Sequence, residues 1–189
     1  EISLGLVGSE MCIRDRELER FLDTVFDAAP CAVSIKTRLG LREPEEFGPL
    51  LALFQRYPLA ELIVHPRVQK DMYKNTPRRA YFARALADSP FPVCYNGDLY
   101  TVPALEAFQA EFPAAERIML GRGLAGDPAL ARKAEGGPAA GREELRAFHD
   151  QVYEGYAGAF GSRRNAMLRM KEVLSLIHIS EPTRPRLIS

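Results

Sequence analysis

Phe91-Pro-Val-Cys-Tyr-Asn-Gly-Asp98 is followed, one βα unit later, by Arg117-Ile-Met-Leu-Gly-Arg-Gly-Leu124. Each stretch is a short apolar run that ends in glycine and a polar residue, which is typical of a buried parallel strand that delivers a loop at its carboxyl end. Backbone N–H groups at these glycines can approach an anion closely, and Arg122 adds a permanent positive charge. In (β/α)8 barrels the loops after strands 7 and 8 commonly hold a phosphate. The two stretches therefore predict the end of such a barrel.

The rest of the chain alternates between helical and strand patterns in repeats of about thirty residues, the size of one βα unit. The predicted strands are Cys31–Gly40, Glu61–His65, Phe91–Tyr95 and Arg117–Leu120. The predicted helices are Glu17–Ala29, Glu45–Tyr57, Arg78–Ala87, Val102–Phe112 and Pro128–Ala134. This alternation implies a parallel sheet covered by helices. The predicted fold is α/β, with the last four units of a TIM (β/α)8 barrel in residues 17–135.

A change of composition follows the last unit. Residues 136–141 read Gly-Gly-Pro-Ala-Ala-Gly, which indicates a linker. Two amphipathic patterns, Arg142–Phe160 and Arg163–Val173, then predict helices that must pack their apolar stripes on something. We therefore expect a small all-helical domain in residues 142–173.

The two ends of the chain are related to each other as DNA. One choice of codons for Leu6–Arg16 reads on the opposite strand as Leu174–Arg184. Such an inverted repeat resembles the translated ends of a transposon-type sequencing adapter, and foreign segments are set aside before a fold is predicted. Residues 1–16 and 174–189 are accordingly predicted to be non-native.

Composition excludes several classes of protein. The chain has 25 basic and 25 acidic residues, so its overall charge does not indicate a polyanionic partner. Outside the adapter-like ends only Cys31 and Cys94 remain, which predicts neither a disulfide framework nor a metal site and fits a reducing cytoplasmic setting. No apolar run is long enough to cross a membrane.

Four predicted strands finish in polar residues that a core does not need, namely Lys36, His65, Asn96 and Arg122. The carboxyl ends of barrel strands open onto one face, so these residues are expected to converge on one pocket. Each also has a structural alternative. Lys36 could cover apolar surface, His65 could be a hydrogen-bonded core histidine, Asn96-Gly97 is a common turn, and Arg122 could pair with an acidic neighbour.

Together these segments resemble the tRNA-dihydrouridine synthases, which are FMN-dependent barrel enzymes with a C-terminal helical domain. The resemblance covers residues 32–173. Its motifs are Ser34-Ile-Lys-Thr-Arg-Leu-Gly40, Leu62-Ile-Val-His-Pro-Arg67, Tyr95-Asn-Gly-Asp98, Leu120-Gly-Arg-Gly123 and Met167-Leu-Arg-Met-Lys-Glu172. Any one motif is weak, whereas the set in this order is fairly specific.

The resemblance implies a role for each matching residue. Lys36 would contact the flavin ring region and His65 the polar edge of the cofactor. The residues that would hold the phosphate and the ribityl chain are Asn96, Gly97, Asp98, Gly121 and Arg122. The family reduces the C5–C6 double bond of uridine in tRNA with FMN, usually with NADPH as the reductant, while a cysteine protonates C5. That cysteine is expected upstream of Glu17, so this chain is expected to be inactive alone, and the full-length protein to be a monomer.

The substrate implied by the resemblance is tRNA. Its candidate contacts are basic residues and one tyrosine, namely Arg67, Lys70, Tyr73, Lys74, Arg163 and Arg164, with Arg78, Arg79, Arg169 and Lys171 beside them. A solvated basic face would give the same pattern. Two other functions stay open at this point. One is an FMN-dependent barrel oxidoreductase that acts on a small molecule, and the other is a non-catalytic RNA-binding module.

Overall fold

A computed structural model of the chain describes residues 4–72 and 74–180, with side chains described for residues 16–72 and 74–176. Helices and strands alternate over its first two thirds, and helices alone follow. The strands are β1 (Ser34–Gly40), β2 (Glu61–Val68), β3 (Val93–Asn96) and β4 (Arg117–Met119). The helices are α1 (Leu4–Ala28), α2 (Phe47–Phe54), α3 (Arg79–Asp88), α4 (Val102–Glu111), α5 (Arg122–Gly126), α6 (Leu130–Ala134), α7 (Arg142–Phe160) and α8 (Arg163–Ser180).

The chain divides into two compact units. The first unit runs to Gly97 and includes Ala114–Met119, and the second contains Asp98–Pro113 and the chain from Leu120 onward. All four strands belong to the first unit, where they form one parallel sheet in the order β1-β2-β3-β4. The α/β class and the parallel sheet are therefore confirmed, and a sheet of successive βα units is consistent with part of a TIM barrel.

The core of the first unit lies between the sheet and its helices. Leu62, Val64 and Tyr95 come from the two central strands and are fully buried. Phe82 of α3 packs edge to face on Tyr95, with 5.0 Å between the ring centroids. Apolar residues at alternate strand positions and at helical spacing thus meet as the sequence pattern requires.

Several element boundaries differ from the predictions. Strand β2 does not end at His65 but continues to Val68, because an irregularity in β1 lets Gly40 pair with Val68. Helix α2 begins only at Phe47, after a 3-10 turn at Pro44–Glu46. The carboxylate of Glu46 accepts hydrogen bonds from three successive backbone N–H groups before this turn, which fixes the end of the β1 loop.

The second unit is helical. Helix α8 packs on α7 and on α5, and α4 packs on α6. Gly161 has a φ of +57° and ends α7, because this left-handed conformation strains any residue with a Cβ. Short helix α5 was missed by the sequence analysis, and α8 continues past the predicted end at Val173. The separate helical domain in residues 142–173 and the non-native ends remain predictions.

Candidate functional site

The parallel register brings three of the predicted site residues to one face of the sheet. Lys36 pairs with Ile63, and Ile63 pairs with Cys94. Side chains two residues apart along a strand point to the same face, so His65 and Asn96 share the face of Lys36. This part of the predicted convergence follows from strand pairing alone. Arg122, the fourth residue, belongs to the second unit.

Lys36 is the least buried of these three residues. Partial desolvation lowers the pKa of its amine, and the positive charge of Arg38 lowers it further. An ammonium group on an open sheet face can donate hydrogen bonds to a bound polar group. Lys36 therefore has the position and the chemistry that a flavin contact requires.

His65 lies deeper, with only 5% of its surface exposed. A guanidinium nitrogen of Arg67, Nη1, lies 3.3 Å from its Nε2. Arginine can only donate, so Nε2 accepts this hydrogen bond and the proton of the neutral imidazole is on Nδ1. The contact therefore fixes the tautomer and the orientation of His65.

Arg67 is 1% exposed, and its Nε donates to the backbone oxygen of Asn75 at 2.5 Å. Arg67 was expected among the candidate contacts for tRNA. This buried position does not offer such a contact, because both its Nε and its Nη1 are directed into the protein. The reason is strand β2, whose extension to Val68 carries Arg67 into the sheet.

The loop after β2 is held by a buried carboxylate. Asp71 accepts hydrogen bonds from the backbone N–H of Val68, from the side-chain amide of Asn75 and from the guanidinium of Arg78. The hydrogen bond from Arg78 is the largest influence on Asp71 and lowers the pKa of the carboxyl group to about 2. Because Asn75 in turn accepts from Arg67, this network supports the position of His65.

Asn96 ends β3 and Gly97 follows it, and both residues have a structural role. The side-chain amide of Asn96 donates to the backbone oxygen of Met119 at 2.8 Å and so ties β3 to β4. A Cβ at Gly97 would lie 2.2 Å from the hydroxyl oxygen of Tyr95. The absence of a side chain at Gly97 is therefore required by packing, whether or not its backbone also binds a phosphate.

In the second unit, Arg122 forms a cluster with two residues of the loop that begins at Asp98. Its Nη2 donates to Oδ1 of Asp98 at 2.7 Å, and its guanidinium lies over the ring of Tyr100, 5.3 Å from the centroid. The hydroxyl of Tyr100 donates to the same Oδ1 at 3.1 Å. The acidic neighbour that the sequence left open as an alternative is thus Asp98. Sequence reasoning missed Tyr100, although its position two residues after Asp98 could have indicated it.

The two glycines beside Arg122 differ in their surroundings. A Cβ at Gly123 would lie 2.5 Å from the backbone oxygen of Leu99, so close packing requires this glycine. A Cβ at Gly121 would meet nothing within 4 Å. Apart from the two chain neighbours of Gly121, open space therefore lies against its backbone. This space can accommodate a phosphate group, and the ammonium of Lys36 and the imidazole of His65 can donate hydrogen bonds to the ring region and the polar edge of a flavin.

The other predicted contacts are distributed over both units. Lys70 and Lys74 are exposed in the first unit, and Arg163 and Arg164 are exposed at the start of α8 in the second. Tyr73 lies outside the described residues. Exposure is necessary for contact with RNA but is equally expected of a solvated basic face.

The described part of the chain offers neither a metal cluster nor a membrane-spanning helix. No group of three or more His, Cys, Asp or Glu residues there could hold a metal ion. No helix in the same residues combines the length and the apolar character that a membrane span needs. Cys94 is buried, and desolvation, together with the nearby charge of Glu61, raises the pKa of its thiol to about 11.

Comparison with known proteins gives consistent matches. The family model described as Dihydrouridine synthase (Dus) matches residues 1–157. The chain is similar to a tRNA-dihydrouridine(16) synthase of Cupriavidus necator, with 32% identity over 132 residues that cover 68% of this chain and 41% of that protein. A tRNA-dihydrouridine(16) synthase of Pseudomonas putida is 28% identical over 183 residues, which cover 93% of this chain and 56% of that protein. The tRNA-dihydrouridine synthase B of Shewanella oneidensis is 25% identical over 134 residues, which cover 70% of this chain and 41% of that protein. The chain thus spans between 41% and 56% of the length of these relatives.

Proposed function

Because the chain belongs to the dihydrouridine synthase family, we propose that it is part of a cytoplasmic, monomeric enzyme that reduces uridine to 5,6-dihydrouridine in tRNA with FMN and NADPH. The observation that carries this proposal is the shared sheet face of Lys36, His65 and Asn96. Asn96 also ties β3 to β4, whereas the sheet does not require a lysine at position 36 or a histidine at position 65. All three side chains can donate hydrogen bonds to a flavin.

Roles follow from what each group can do. Lys36 donates to the flavin ring region, and His65, held by Arg67, presents its Nδ1–H to the polar edge of the cofactor. We assign the phosphate and the ribityl chain to Asn96, Gly97, Asp98, Gly121 and Arg122. When bound, reduced FMN supplies the two electrons that the uracil C5–C6 bond receives.

The proton for C5 does not come from Cys94. Its thiol is buried and its pKa of about 11 leaves it protonated and a poor acid at neutral pH. Cys31 is exposed but precedes β1, at the end of the strand opposite the carboxyl end that the candidate site requires. We therefore propose that the general-acid cysteine lies upstream of Glu17. The tRNA contacts proposed for this chain are the exposed Lys70, Lys74, Arg163 and Arg164 together with Tyr73.

Two binding measurements on the purified chain test the proposal. Quenching of FMN fluorescence reports flavin binding, and retention of labelled tRNA on filters reports RNA binding. Binding of both ligands is the expected result. A folded chain that binds flavin alone would favour a small-molecule oxidoreductase, and one that binds tRNA alone would favour an RNA-binding module. Either result would contradict the proposal.

A pair of lysine variants tests the assignment of the site. Lys36→Ala is expected to weaken FMN binding about tenfold, the cost of one hydrogen bond to a charged donor. Lys171→Ala is the matched control. Lys171 is an exposed lysine of α8 in the second unit, and no contact between it and the cofactor is proposed. Equal affinity of the two variants for FMN would refute the role of Lys36.

A further inference from the structure

We propose that Tyr100 is a positioning residue that orients the guanidinium of Arg122 toward the phosphate of the flavin nucleotide. This inference rests on the proposed function, since it requires that the family's cofactor binds here. It goes beyond the sequence motifs, because Tyr100 follows the stretch Phe91–Asp98 and is not part of either stretch from which the phosphate site was predicted. The evidence is the closed arrangement of Asp98, Tyr100 and Arg122 within the second unit.

Tyr100 contacts both partners of the ion pair. Its ring lies under the guanidinium carbon of Arg122 at 5.3 Å, within the distance at which a cation is attracted to a ring face. Its hydroxyl donates to Oδ1 of Asp98, the same oxygen that accepts from Arg122. One side chain therefore contacts both the guanidinium of Arg122 and the carboxylate of Asp98.

This arrangement suits an arginine that must bind an external anion. A guanidinium held near a ring face keeps N–H groups that can donate to the oxygens of a phosphate. The ion pair is partly exposed, with 31% of the Arg122 side chain and 28% of the Asp98 side chain accessible. At such exposure an ion pair alone constrains a flexible arginine weakly. The ring of Tyr100 adds a second contact to the guanidinium.

The surroundings of Gly121, the residue before Arg122, also support a phosphate in this part of the second unit. The position of a Cβ at Gly121 has no atom within 4 Å, whereas the Cβ position of Gly123 is filled by the backbone of Leu99. Space for an anion is therefore available at the backbone of Gly121, the residue before Arg122. Tyr100 and Asp98, which contact Arg122, do not occupy the space at Gly121.

The test compares FMN with riboflavin, which has the same ring system and ribityl chain but no phosphate. The affinity of the full 189-residue chain for each flavin is measured by fluorescence quenching, and the ratio of the two dissociation constants reports the phosphate contact alone. Tyr100→Ala is expected to lower the preference for FMN about tenfold, because both the ring contact and the hydroxyl are lost. Tyr100→Phe keeps the ring and is expected to retain most of the preference, with a loss of about threefold or less.

A matched control removes the same kind of hydrogen bond elsewhere. The hydroxyl of Tyr81 donates to Oε1 of Glu45 at 3.1 Å in the first unit, so Tyr81→Phe should leave the ratio unchanged. If Tyr100→Ala does not fold, Tyr100→Leu replaces it, because leucine keeps apolar volume without an aromatic face. If folded Tyr100→Ala or folded Tyr100→Leu has the same ratio of dissociation constants as the wild type, the inference is overturned.

The outcomes separate this inference from the proposed function. A wild-type chain that binds neither flavin, or both equally well, would overturn the cofactor assignment together with the role of Tyr100. A second outcome would overturn the role of Tyr100 alone. In that outcome Arg122→Ala abolishes the preference for FMN, whereas Tyr100→Ala or Tyr100→Leu leaves it intact. A purely structural role would weaken FMN and riboflavin to the same extent, which would also contradict the inference.

Discussion

Asp71→Asn should destabilise the protein at neutral pH far more than its small change in shape would indicate. The carboxylate is almost completely buried, with 5% of the side chain exposed, and it accepts from Val68, Asn75 and Arg78. These hydrogen bonds lower the pKa of Asp71 from 3.8 to about 2. At about 1.4 kcal/mol per pKa unit, this difference corresponds to about 2 kcal/mol of the free energy of unfolding at pH 7.

The pH dependence gives the sign of the effect. Because the pKa of Asp71 is lower in the folded state than in the unfolded state, its contribution is fully present above about pH 5 and is lost as the pH falls through about 2. The variant should therefore lose about 2 kcal/mol relative to the wild type at pH 7 and about half of that at pH 3. Urea unfolding followed by circular dichroism at both pH values measures the two differences.

Asp88→Asn is the control for this experiment. Asp88 pairs with Arg84 four residues earlier on α3, and both side chains are about half exposed. Such a pair contributes about 0.5 kcal/mol or less. Equal destabilisation by Asp71→Asn at pH 7 and pH 3 would refute the reasoning, since it would show an effect of packing and not of charge.

Three further predictions concern the glycines and the cysteines. Gly97→Ala should destabilise the fold by about 1 to 3 kcal/mol in urea unfolding, because its Cβ would collide with Tyr95, and an unchanged midpoint would contradict this. Gly121→Ala should keep the midpoint within about 0.5 kcal/mol yet weaken FMN more than riboflavin, and equal weakening of both would exclude a phosphate contact. In a Cys12→Ser background, a thiol reagent at pH 8 should modify exposed Cys31 rapidly and buried Cys94 only after unfolding, and rapid modification of both would contradict the burial of Cys94.

Much of the fold was predictable because it depends on local patterns. The order of four βα units and the parallel sheet follow from apolar strands that alternate with amphipathic helices. The boundaries were less predictable. The pairing of Gly40 with Val68 extends β2 past His65, and pairing between strands is not encoded in either strand by itself.

The candidate site, like the fold, was predictable only in part. The residue types at strand ends identified Lys36, His65, Asn96 and Arg122, since a core has no use for them. The contacts of these residues depend on the folded chain, in which Arg67 is buried against His65 and Tyr100 lies beside Arg122. The exposure of a charged residue is also a tertiary property, which is why Arg67 was wrongly expected at the surface.

By itself, the sequence determined the class of fold, the order of its elements and the residues that chemistry would need. These properties depend on hydrophobic periodicity and on side-chain type, which are local. Only the tertiary structure decided which oxygen each guanidinium binds, which glycine is required by packing and which glycine borders open space. Those outcomes depend on atoms from distant segments meeting at distances of a few ångströms, and such distances are set by the packing of the whole unit.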